Sequence, residues 1–463
     1  MKNKLKIFIV ALVALATNLF ISSCNKKDEF LDAVPNNHLT IPRTLTDLQA
    51  VLQNETLFNY YNDPPDGVLS ADEYYASPSL YNKADAFTKG EYTWDKSLQS
   101  SSVVQSSVIA WQFPYEQIYP ANVVLDELQH IKINTTQQAQ YNQIKGTALF
   151  FRAKAYFNLM QLFSLPYNPA SAGSNLGVPL RLTADINLKV GRSTEKDCYA
   201  QIINDLETAI QLLPAQTAKI TQPNITAANG FLARVYLSIG DYDNAFKYAN
   251  YFLSKFNVIT DYNSYNALGY IDSFPSEVEF LSSMGGGTGF IRSFSAFVDT
   301  TIVSSYAAND LRKPLLLYLN GNGYVFLGTY DVQTYSPFNG IATDEIYLIR
   351  AECYARQGNT SAAMQDLNTL LKMRFLTNTF VPYTATSADD ALSQILTERK
   401  KELLFRGLRW SDLRRLNQDP RFAKTLTRNI NGTIYTLPPN DPRYALPIPQ
   451  DEIQLNPMPQ NAR

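Results

Sequence analysis

Four carboxylates in one short segment are the first residues whose types and spacing could do chemistry. They are Asp63, Asp66, Asp72 and Glu73. A glycoside hydrolase needs two carboxyl groups, one acting as an acid and the other as a base or nucleophile. Because the sequence does not give the distance between these groups in space, hydrolysis of a glycosidic bond stays open as one function class.

A second cluster of charges lies near the carboxy terminus, where acids and bases alternate. It comprises Glu398, Arg399, Lys400, Lys401, Glu402, Arg406, Arg409, Asp412, Arg414 and Arg415. On a helix, Glu398 and Glu402 share one face at a spacing of i, i+4. One interpretation is an anion site lined by arginines. The alternation of signs favours another, in which charge-assisted hydrogen bonds within the cluster hold the last helices in place.

Composition excludes several other kinds of site. With two His and three Cys in 463 residues, the chain cannot build a zinc site from clusters of these residues, and we expect no metal or other cofactor. No Walker loop, HExxH, GxSxG or EF-hand pattern occurs. The 40 basic and 42 acidic residues give a formal charge of -2, which provides no electrostatic footprint for nucleic acid.

The amino terminus has the pattern of a lipoprotein signal peptide. Lys2, Lys4 and Lys6 precede an apolar stretch over residues 7–21, which is followed by Ser22-Ser23-Cys24. Small residues immediately before a cysteine are typical of cleavage by lipoprotein signal peptidase. We therefore predict a signal peptide over residues 1–23 and a single body over 24–463, anchored to the membrane by a lipid on Cys24. The alternative is a soluble exported protein in which that cysteine is incidental.

Self-comparison indicates repeated helices. The repeated pairs, an alanine with a tyrosine three residues later, are Ala153 with Tyr156, Ala233 with Tyr236, and Ala351 with Tyr354. The last two copies continue in step, because Gly240, Ala245 and Leu253 match Gly358, Ala363 and Leu371 at a constant offset. Small residues where helices touch, with a glycine closing the first helix, are typical of a tetratricopeptide helix pair. We predict an all-α superhelix of such pairs over about 108–256 and 343–416.

Two stretches between these helices, residues 54–107 and 257–342, are loop-like, polar and rich in aromatic residues. The segments Asn320-Gly321-Asn322-Gly323 and Asn431-Gly432 predict short β-hairpins. Long insertions on repeat scaffolds often carry binding sites. We therefore expect the two stretches to form a loop-rich, ligand-binding face. Cys198 and Cys353 lie in apolar helical patterns and are expected to be two separate buried thiols.

Several segments follow one another in a characteristic order: Ser23-Cys24 with Phe30-Leu31, and residues 115–122, 151–157, 177–180, 345–352, 398–403, 409–413, 446–449 and 456–457. Taken in this order, they resemble the SusD/RagB family of nutrient-uptake lipoproteins. Arg406 departs from the family pattern, in which an acid is common at that position. The resemblance implies a non-catalytic protein on the outer face of the outer membrane that binds glycans. It also implies a partner, a SusC-like TonB-dependent transporter. Because members resembling RagB handle peptides, the ligand class stays open.

A sugar ring offers a flat apolar face with hydroxyls at its edge, which suits an exposed aromatic side chain flanked by polar groups. The residues of the two loop stretches predicted to bind the ligand are Asp72, Tyr74, Tyr75, Tyr81, Trp94, Tyr265, Tyr270 and Arg292. The tyrosines of the helical repeats are assigned to the core. Three function classes follow: glycan capture for uptake, a helical scaffold that binds protein segments, and a secreted hydrolase.

Overall fold

A computed structural model describes residues 42–100, 106–265, 271–285, 288–321 and 323–463, with residues 106 and 107 described as backbone only. The helices in these ranges are α1 Leu45–Leu52, α2 Glu55–Phe58, α3 Asp66–Ser70, α4 Pro78–Lys83, α5 Ala86–Tyr92, α6 Ser106–Leu128, α7 Gln138–Phe163, α8 Glu195–Leu212, α9 Ile225–Ser238, α10 Tyr242–Lys255, α11 Thr288–Ile291, α12 Thr300–Ser305, α13 Arg312–Leu316, α14 Thr343–Arg356, α15 Thr360–Lys372, α16 Ala388–Glu402, α17 Leu408–Leu416 and α18 Gln450–Leu455. The predicted signal peptide, Cys24 and Tyr270 lie outside the described ranges.

The repeated helix pairs occur where self-comparison places them. Helices α9 and α10 form one pair and α14 and α15 form the other, and the turns close in the same way. Gly240 and Gly358 have φ angles of 77° and 80°, the left-handed conformation that favours glycine at a helix end. Asp241 and Asn359 then cap the second helices, each accepting a backbone N–H three residues on. The predicted all-α fold of tetratricopeptide-like pairs is confirmed.

Small residues and tyrosines pack these pairs together. Ala233 and Ala351 are fully buried. The ring of Tyr236 stacks on that of Tyr248 within the first pair, with centroids 5.5 Å apart. Phe246 of α10 meets Tyr354 of α14 at 4.9 Å and so joins one pair to the next. The two cysteines within the described ranges, Cys198 and Cys353, are free and buried, as predicted.

Ten short strands form five antiparallel pairs in the described residues. The strands are β1 Tyr74–Ala76, β2 Leu176–Pro179, β3 Arg192–Thr194, β4 Val278–Phe280, β5 Ala296–Val298, β6 Leu317–Asn320, β7 Gly323–Phe326, β8 Ile341–Ala342, β9 Leu426–Ile430 and β10 Thr433–Leu437. The pairs β6–β7 and β9–β10 are the two predicted hairpins. In the second, Asn431 and Gly432 have φ angles of 52° and 86°, as a type I′ turn requires. Within the described ranges no helix is long and apolar enough to cross a membrane.

Two non-local strand pairs connect the loop stretches to each other and to the helices. Strand β1 pairs with β5, with Tyr74 opposite Val298, and so joins residues 54–107 to residues 257–342. Strand β4 pairs with β8 immediately before α14. The loop stretches also form a hydrophobic cluster, which includes Tyr74 and Val298 and to which Phe405, after α16, contributes. The predicted face is therefore a packed layer with a buried interior.

Candidate functional site

The charge cluster near the carboxy terminus is a buried network of ion pairs. Arg312 is fully buried and contacts Asp310, Glu398 and Glu402 at 2.7, 2.6 and 3.0 Å. Glu402 also receives a bond from the buried guanidinium of Arg374 at 2.6 Å. Glu398 and Glu402 thus act from one helix face, as their spacing predicts. Because each arginine here is surrounded by carboxylates, this part of the cluster holds helices together and leaves no cationic surface.

The next helix, α17, is held by the same kind of contact. Arg399 contacts Asp412 at 2.9 Å, and Arg415 contacts Glu352 of α14 at 2.5 Å. Burial would raise the pKa of Glu352, but the attraction of Arg415 outweighs it and lowers the pKa to about 2. Glu352 is therefore ionised at neutral pH and ties the last helices to the second repeat pair. The structural interpretation of the cluster is confirmed for these residues.

Asp72 belongs to this framework as well. Its two carboxylate oxygens contact Arg409 at 2.6 Å, Lys424 at 2.8 Å and Lys400 at 3.3 Å. Burial would raise the pKa of Asp72, but the attraction of Arg409 holds it well below the usual range. The expectation that this carboxylate is free to contact a sugar is wrong, because cations of the protein already occupy both oxygens.

The other three carboxylates of the segment are also buried. Asp63 contacts Lys154 at 2.7 Å, and both side chains are almost fully enclosed. Burial raises the pKa of Asp66 to about 7 and that of Glu73 to about 8. Glu73 accepts the backbone N–H of Phe405 at 2.9 Å. The four carboxylates thus have separate packing roles, and none is exposed to solvent.

Two of the predicted aromatic contacts lie in the interior. Trp94 and Tyr74 are each 3% exposed. The guanidinium of Arg428 lies 4.5 Å from the Trp94 ring and 5.7 Å from the Tyr74 ring. Trp94 donates its indole N–H to the carbonyl of Ser70 at 3.0 Å. The expectation of exposed platforms is wrong for both, because Trp94 packs in the main hydrophobic cluster with the helices and Tyr74 packs in the cluster of the loop stretches.

The remaining predicted contacts differ in their surroundings. Tyr81 is half-buried and packs on Tyr92, with ring centroids 6.0 Å apart. Tyr265 is half-buried, packs on Tyr262 at 6.0 Å and donates its hydroxyl to the carbonyl of Ser273. Arg292 is exposed immediately after α11. Tyr75, on β1, is 39% exposed.

Tyr75 belongs to a group of exposed rings that we call the aromatic patch: Tyr75, Phe294 and Tyr318. Phe294 and Tyr318 are 55% and 47% exposed, and their rings meet edge to face at 6.4 Å. Tyr75 lies opposite Phe297 in the β1–β5 ladder, with ring centroids 5.6 Å apart. Asn320 donates to the carbonyl of Phe294 at 2.6 Å, which joins hairpin β6–β7 to the patch.

Sequence reasoning missed Phe294 and Tyr318. The sequence around Tyr318 shows no clean alternation, because Leu317 is buried whereas Leu319, on the other side of Tyr318, is exposed. Gly323 packs directly on Phe297, where an added Cβ would lie 2.9 Å from the ring. The hairpin can therefore approach β5 closely enough to bring Tyr318 beside Phe294.

A second pair of exposed rings, Tyr61 and Tyr335, was also missed. They are 45% and 53% exposed, and both have positive φ angles, 69° and 54°. Such backbone strain in a residue other than glycine is often found at functional sites. The segments that carry them are linked by the bond from the Tyr60 hydroxyl to Gln333 at 3.0 Å. Gly285 lies against the Tyr61 backbone, so that any side chain there would overlap it.

A cleft of about 670 Å³ lies on another part of the molecule, between α6, the loop after β2 and α18. Its wall includes Trp111, Tyr115 and Tyr119 of α6, with Asn122 and Arg181 among the polar groups. Arg152 donates to the amide oxygen of Asn122 at 2.9 Å and so fixes the orientation of that amide. The cleft therefore combines aromatic surface with oriented polar groups, and Tyr119 is half exposed at its edge.

The helix pairs and the loop layer together define a class: a tetratricopeptide-like protein with an aromatic surface on its loops. Comparison with known sequences is more specific. Residues 29–237 match the SusD-like family model described as "Starch-binding associating with outer membrane", and residues 343–462 match the model of the SusD family. The chain belongs to the SusD/RagB family.

Individual relatives and a solved structure agree with this assignment. A SusD-like protein of Bacteroides ovatus is 26% identical over 257 residues, which cover 53% of this chain and 41% of that protein. SusD-like protein P2 of Formosa agariphila is 23% identical over 413 residues, which cover 75% of this chain and 78% of that one. The crystal structure of a SusD superfamily protein from Bacteroides thetaiotaomicron superposes with a TM-score of 0.71 at 25% identity, covering 91% of this chain and all of that one.

Proposed function

We propose that this protein is a non-catalytic, lipid-anchored, glycan-binding protein of the outer membrane. It captures oligosaccharides at the cell surface and passes them to a SusC-like TonB-dependent transporter. The family description, starch-binding and associating with the outer membrane, supports the ligand class and the location. The observation that carries the proposal is the aromatic patch, in which three rings remain exposed although the loop layer has its own apolar core.

The patch suits a sugar chain for a simple physical reason. Aromatic faces bind the C–H faces of pyranose rings, and a row of polar groups can bond to the hydroxyls at the ring edges. Tyr75, Phe294 and Tyr318 supply the faces. Arg292 lies two residues before Phe294 in the chain, and Asn320 donates a hydrogen bond to the carbonyl of Phe294. Both side chains supply polar groups at the edge of the aromatic patch.

Titration calorimetry with a panel of neutral oligosaccharides tests the proposal. We expect Tyr318→Ala to weaken binding about fivefold, because one ring–sugar stack contributes about 1 kcal/mol. Tyr251→Ala is the matched control, since it removes an equally exposed tyrosine on α10. Unchanged affinity in both Tyr75→Ala and Tyr318→Ala would refute the patch as the binding site. Trp94→Ala is unsuitable as a probe, because removal of this buried indole leaves a cavity in the main hydrophobic cluster and destabilises the fold.

Two alternatives give different results in the same experiments. If the ligand is a peptide, as in RagB-like members, peptides should bind and oligosaccharides should not, and Tyr318→Ala should weaken peptide binding. A glycoside hydrolase predicts that incubation shortens an oligosaccharide over hours. The hydrolase is disfavoured by the positions of the four carboxylates, because Asp63, Asp66 and Glu73 are buried and the partly buried Asp72 is held by three cations.

A further inference from the structure

A second pocket, with a mixed apolar and polar lining, lies between α12, α16 and α17 and has a volume of about 320 Å³. Its lining includes apolar side chains, such as Leu396 and Phe422, and the hydroxyls of Ser305 and Thr397, each of which donates to a backbone carbonyl of its own helix. Three cations also line it: Lys400, Arg409 and Lys424. We call these three cations and the Asp72 carboxylate that they share the cationic pocket. Its size is at the lower end of the range for small-molecule sites, enough for one substituted sugar ring or a free ion.

The balance of charge here is the reverse of that in the neighbouring network. Arg312 is surrounded by three carboxylates, whereas in the cationic pocket three cations share the carboxylate of Asp72. Arg409 contacts it through two nitrogens, at 2.6 and 3.1 Å. Asp72 therefore neutralises one of the three positive charges.

The other acids near the pocket do not remove the excess. Asp299 faces Lys400, but with Asp72 it still leaves one positive charge unbalanced. Asp412, which faces Arg409, is already paired with Arg399 and Arg415.

Glu73, the neighbour of Asp72 in the chain, adds no negative charge at neutral pH. Burial raises its pKa to about 8, so the carboxyl is protonated. Lys401 points to Glu398 and Asp310 instead of to Asp72, and so belongs to the neutral network. The pocket thus keeps a net positive charge.

The lysines also retain donors for a ligand. An ammonium group has three N–H donors, and Lys400 and Lys424 each direct one bond to Asp72. The side chain of Lys424 is 52% exposed, so its ammonium is accessible from solvent. Ammonium and guanidinium groups with N–H donors to spare are the groups that bind sulfate, phosphate or carboxylate.

We propose that the cationic pocket binds an oxyanion, either the sulfate, phosphate or carboxylate group of a substituted sugar or the free ion. It stands at the far end of β5 from Phe294, because Asp299 and α12 follow Val298 directly. The pocket is therefore a site separate from the aromatic patch, and the proposal does not depend on the proposed function.

Calorimetry on the purified full-length protein at constant ionic strength tests this site. The probes are inorganic sulfate, inorganic phosphate, a sulfated monosaccharide, glucuronic acid and the neutral parent sugars. We expect the charged probes to bind and the neutral sugars to be inert at this pocket. Binding of the inorganic ions as tightly as the sugars identifies a free-ion site, and tighter binding of a charged sugar identifies a substituted glycan; either result supports the oxyanion site.

Variants distinguish the pocket from general charge attraction. Lys424→Gln should weaken binding about tenfold, since it removes one accessible cation. Asp72→Asn should strengthen binding, because it removes the competing carboxylate. Lys219→Gln is the matched control: it removes a surface lysine of the same kind, whose ammonium contacts Glu55 at 2.9 Å, and should leave binding unchanged. Absence of binding by every charged probe, or equal losses in Lys424→Gln and Lys219→Gln, would overturn the proposal; because Lys424 is exposed, this arm stands even if Asp72→Asn does not fold.

Discussion

Asp72 and Glu73 are adjacent residues of the same chemical type with different immediate contacts. Asp72 has three cations within 3.3 Å, whereas Glu73 is fully buried and accepts one backbone N–H. The first is held ionised and the second protonated. A residue-scale consequence is that Glu73 makes stability depend on pH in the neutral range.

We expect Glu73→Gln to flatten the decline of stability between pH 5 and pH 8. With a pKa of about 8 in the folded protein and an ordinary value when unfolded, Glu73 holds a proton in the folded state that the unfolded state has lost. Stability therefore falls as pH rises through this window, by an amount on the order of 3 kcal/mol, and the loss ends above the folded pKa. The glutamine keeps an oxygen to accept from Phe405 and cannot ionise.

Urea unfolding at pH 5, 6, 7 and 8 measures this difference. Glu116→Gln, at an exposed position on α6, is the control and should follow the wild-type curve. Parallel curves for Glu73→Gln and wild type would show that Glu73 ionises normally in the folded protein.

At the scale of secondary-structure elements, the turn between the paired helices explains the repeat in the sequence. In both repeat pairs the N–H of the residue after the glycine donates to the tyrosine carbonyl of the first helix, at 3.0 Å from Asp241 to Tyr236 and 2.9 Å from Asn359 to Tyr354. This bond closes the helix end and requires the left-handed conformation at the glycine between them. The match at a constant offset in sequence therefore reflects one repeated turn geometry.

Gly240→Ala and Gly358→Ala should each lower the free energy of unfolding by about 1 kcal/mol, and by similar amounts. An added Cβ meets no neighbour within 4 Å at either position, so the cost is the backbone strain alone. Gly191→Ala is the control, because that glycine is also open to solvent but has no positive φ angle. Denaturant unfolding gives the values; no change in either turn variant would mean that the turn tolerates a side chain.

At the scale of the whole molecule, the described residues form two hydrophobic clusters. One lies within and between the helices, and the other lies within the loop layer. Ion pairs connect the two: Arg374 of the segment after α15 contacts Glu277 before β4 and Glu402 of α16. Because the loop layer is anchored in this way, exposed rings such as Tyr318 are carried on a fixed surface.

Attachment to the membrane is predicted to depend on one atom, the sulfur of Cys24. We expect Cys24→Ser to move the protein from the membrane fraction to the soluble fraction of cells, because a lipid anchor supplies the apolar surface that holds the body at the bilayer. Fractionation with metabolic labelling of the lipid measures both effects, and Cys198→Ser is the control because that thiol is buried. Retention of the Cys24→Ser variant in washed membranes would indicate attachment by other means.

Much of the fold could be predicted from residue order, because it depends on local patterns. The spacing of Gly240 and Gly358, the capping residues and the hairpin turns act over a few neighbouring residues, and the structure places them as predicted. The position of Glu398 and Glu402 on the same face is likewise a property of a single helix. The family segments, read in order, also led to the correct family.

The binding surface could not be predicted in the same way. Tyr74 and Tyr75 are neighbours of identical type, yet one is buried and the other exposed, because β1 pairs with β5 from a distant part of the chain. Trp94 looks like a binding residue in sequence and is a core residue in space, where Arg428 covers its ring. Phe294 and Tyr318 become a pair only when hairpin β6–β7 packs on β5.

Residue order thus sufficed for the helix pairs, their turns and the family, because backbone propensity and capping are set by near neighbours. Which aromatic rings face solvent, and which charges remain unbalanced, depended on long-range packing. Burial removes water from one ring and leaves its neighbour exposed, and an ion pair forms only where the chain brings the partners together. The 12% of aromatic residues in the composition therefore separates into core and surface only in the folded protein.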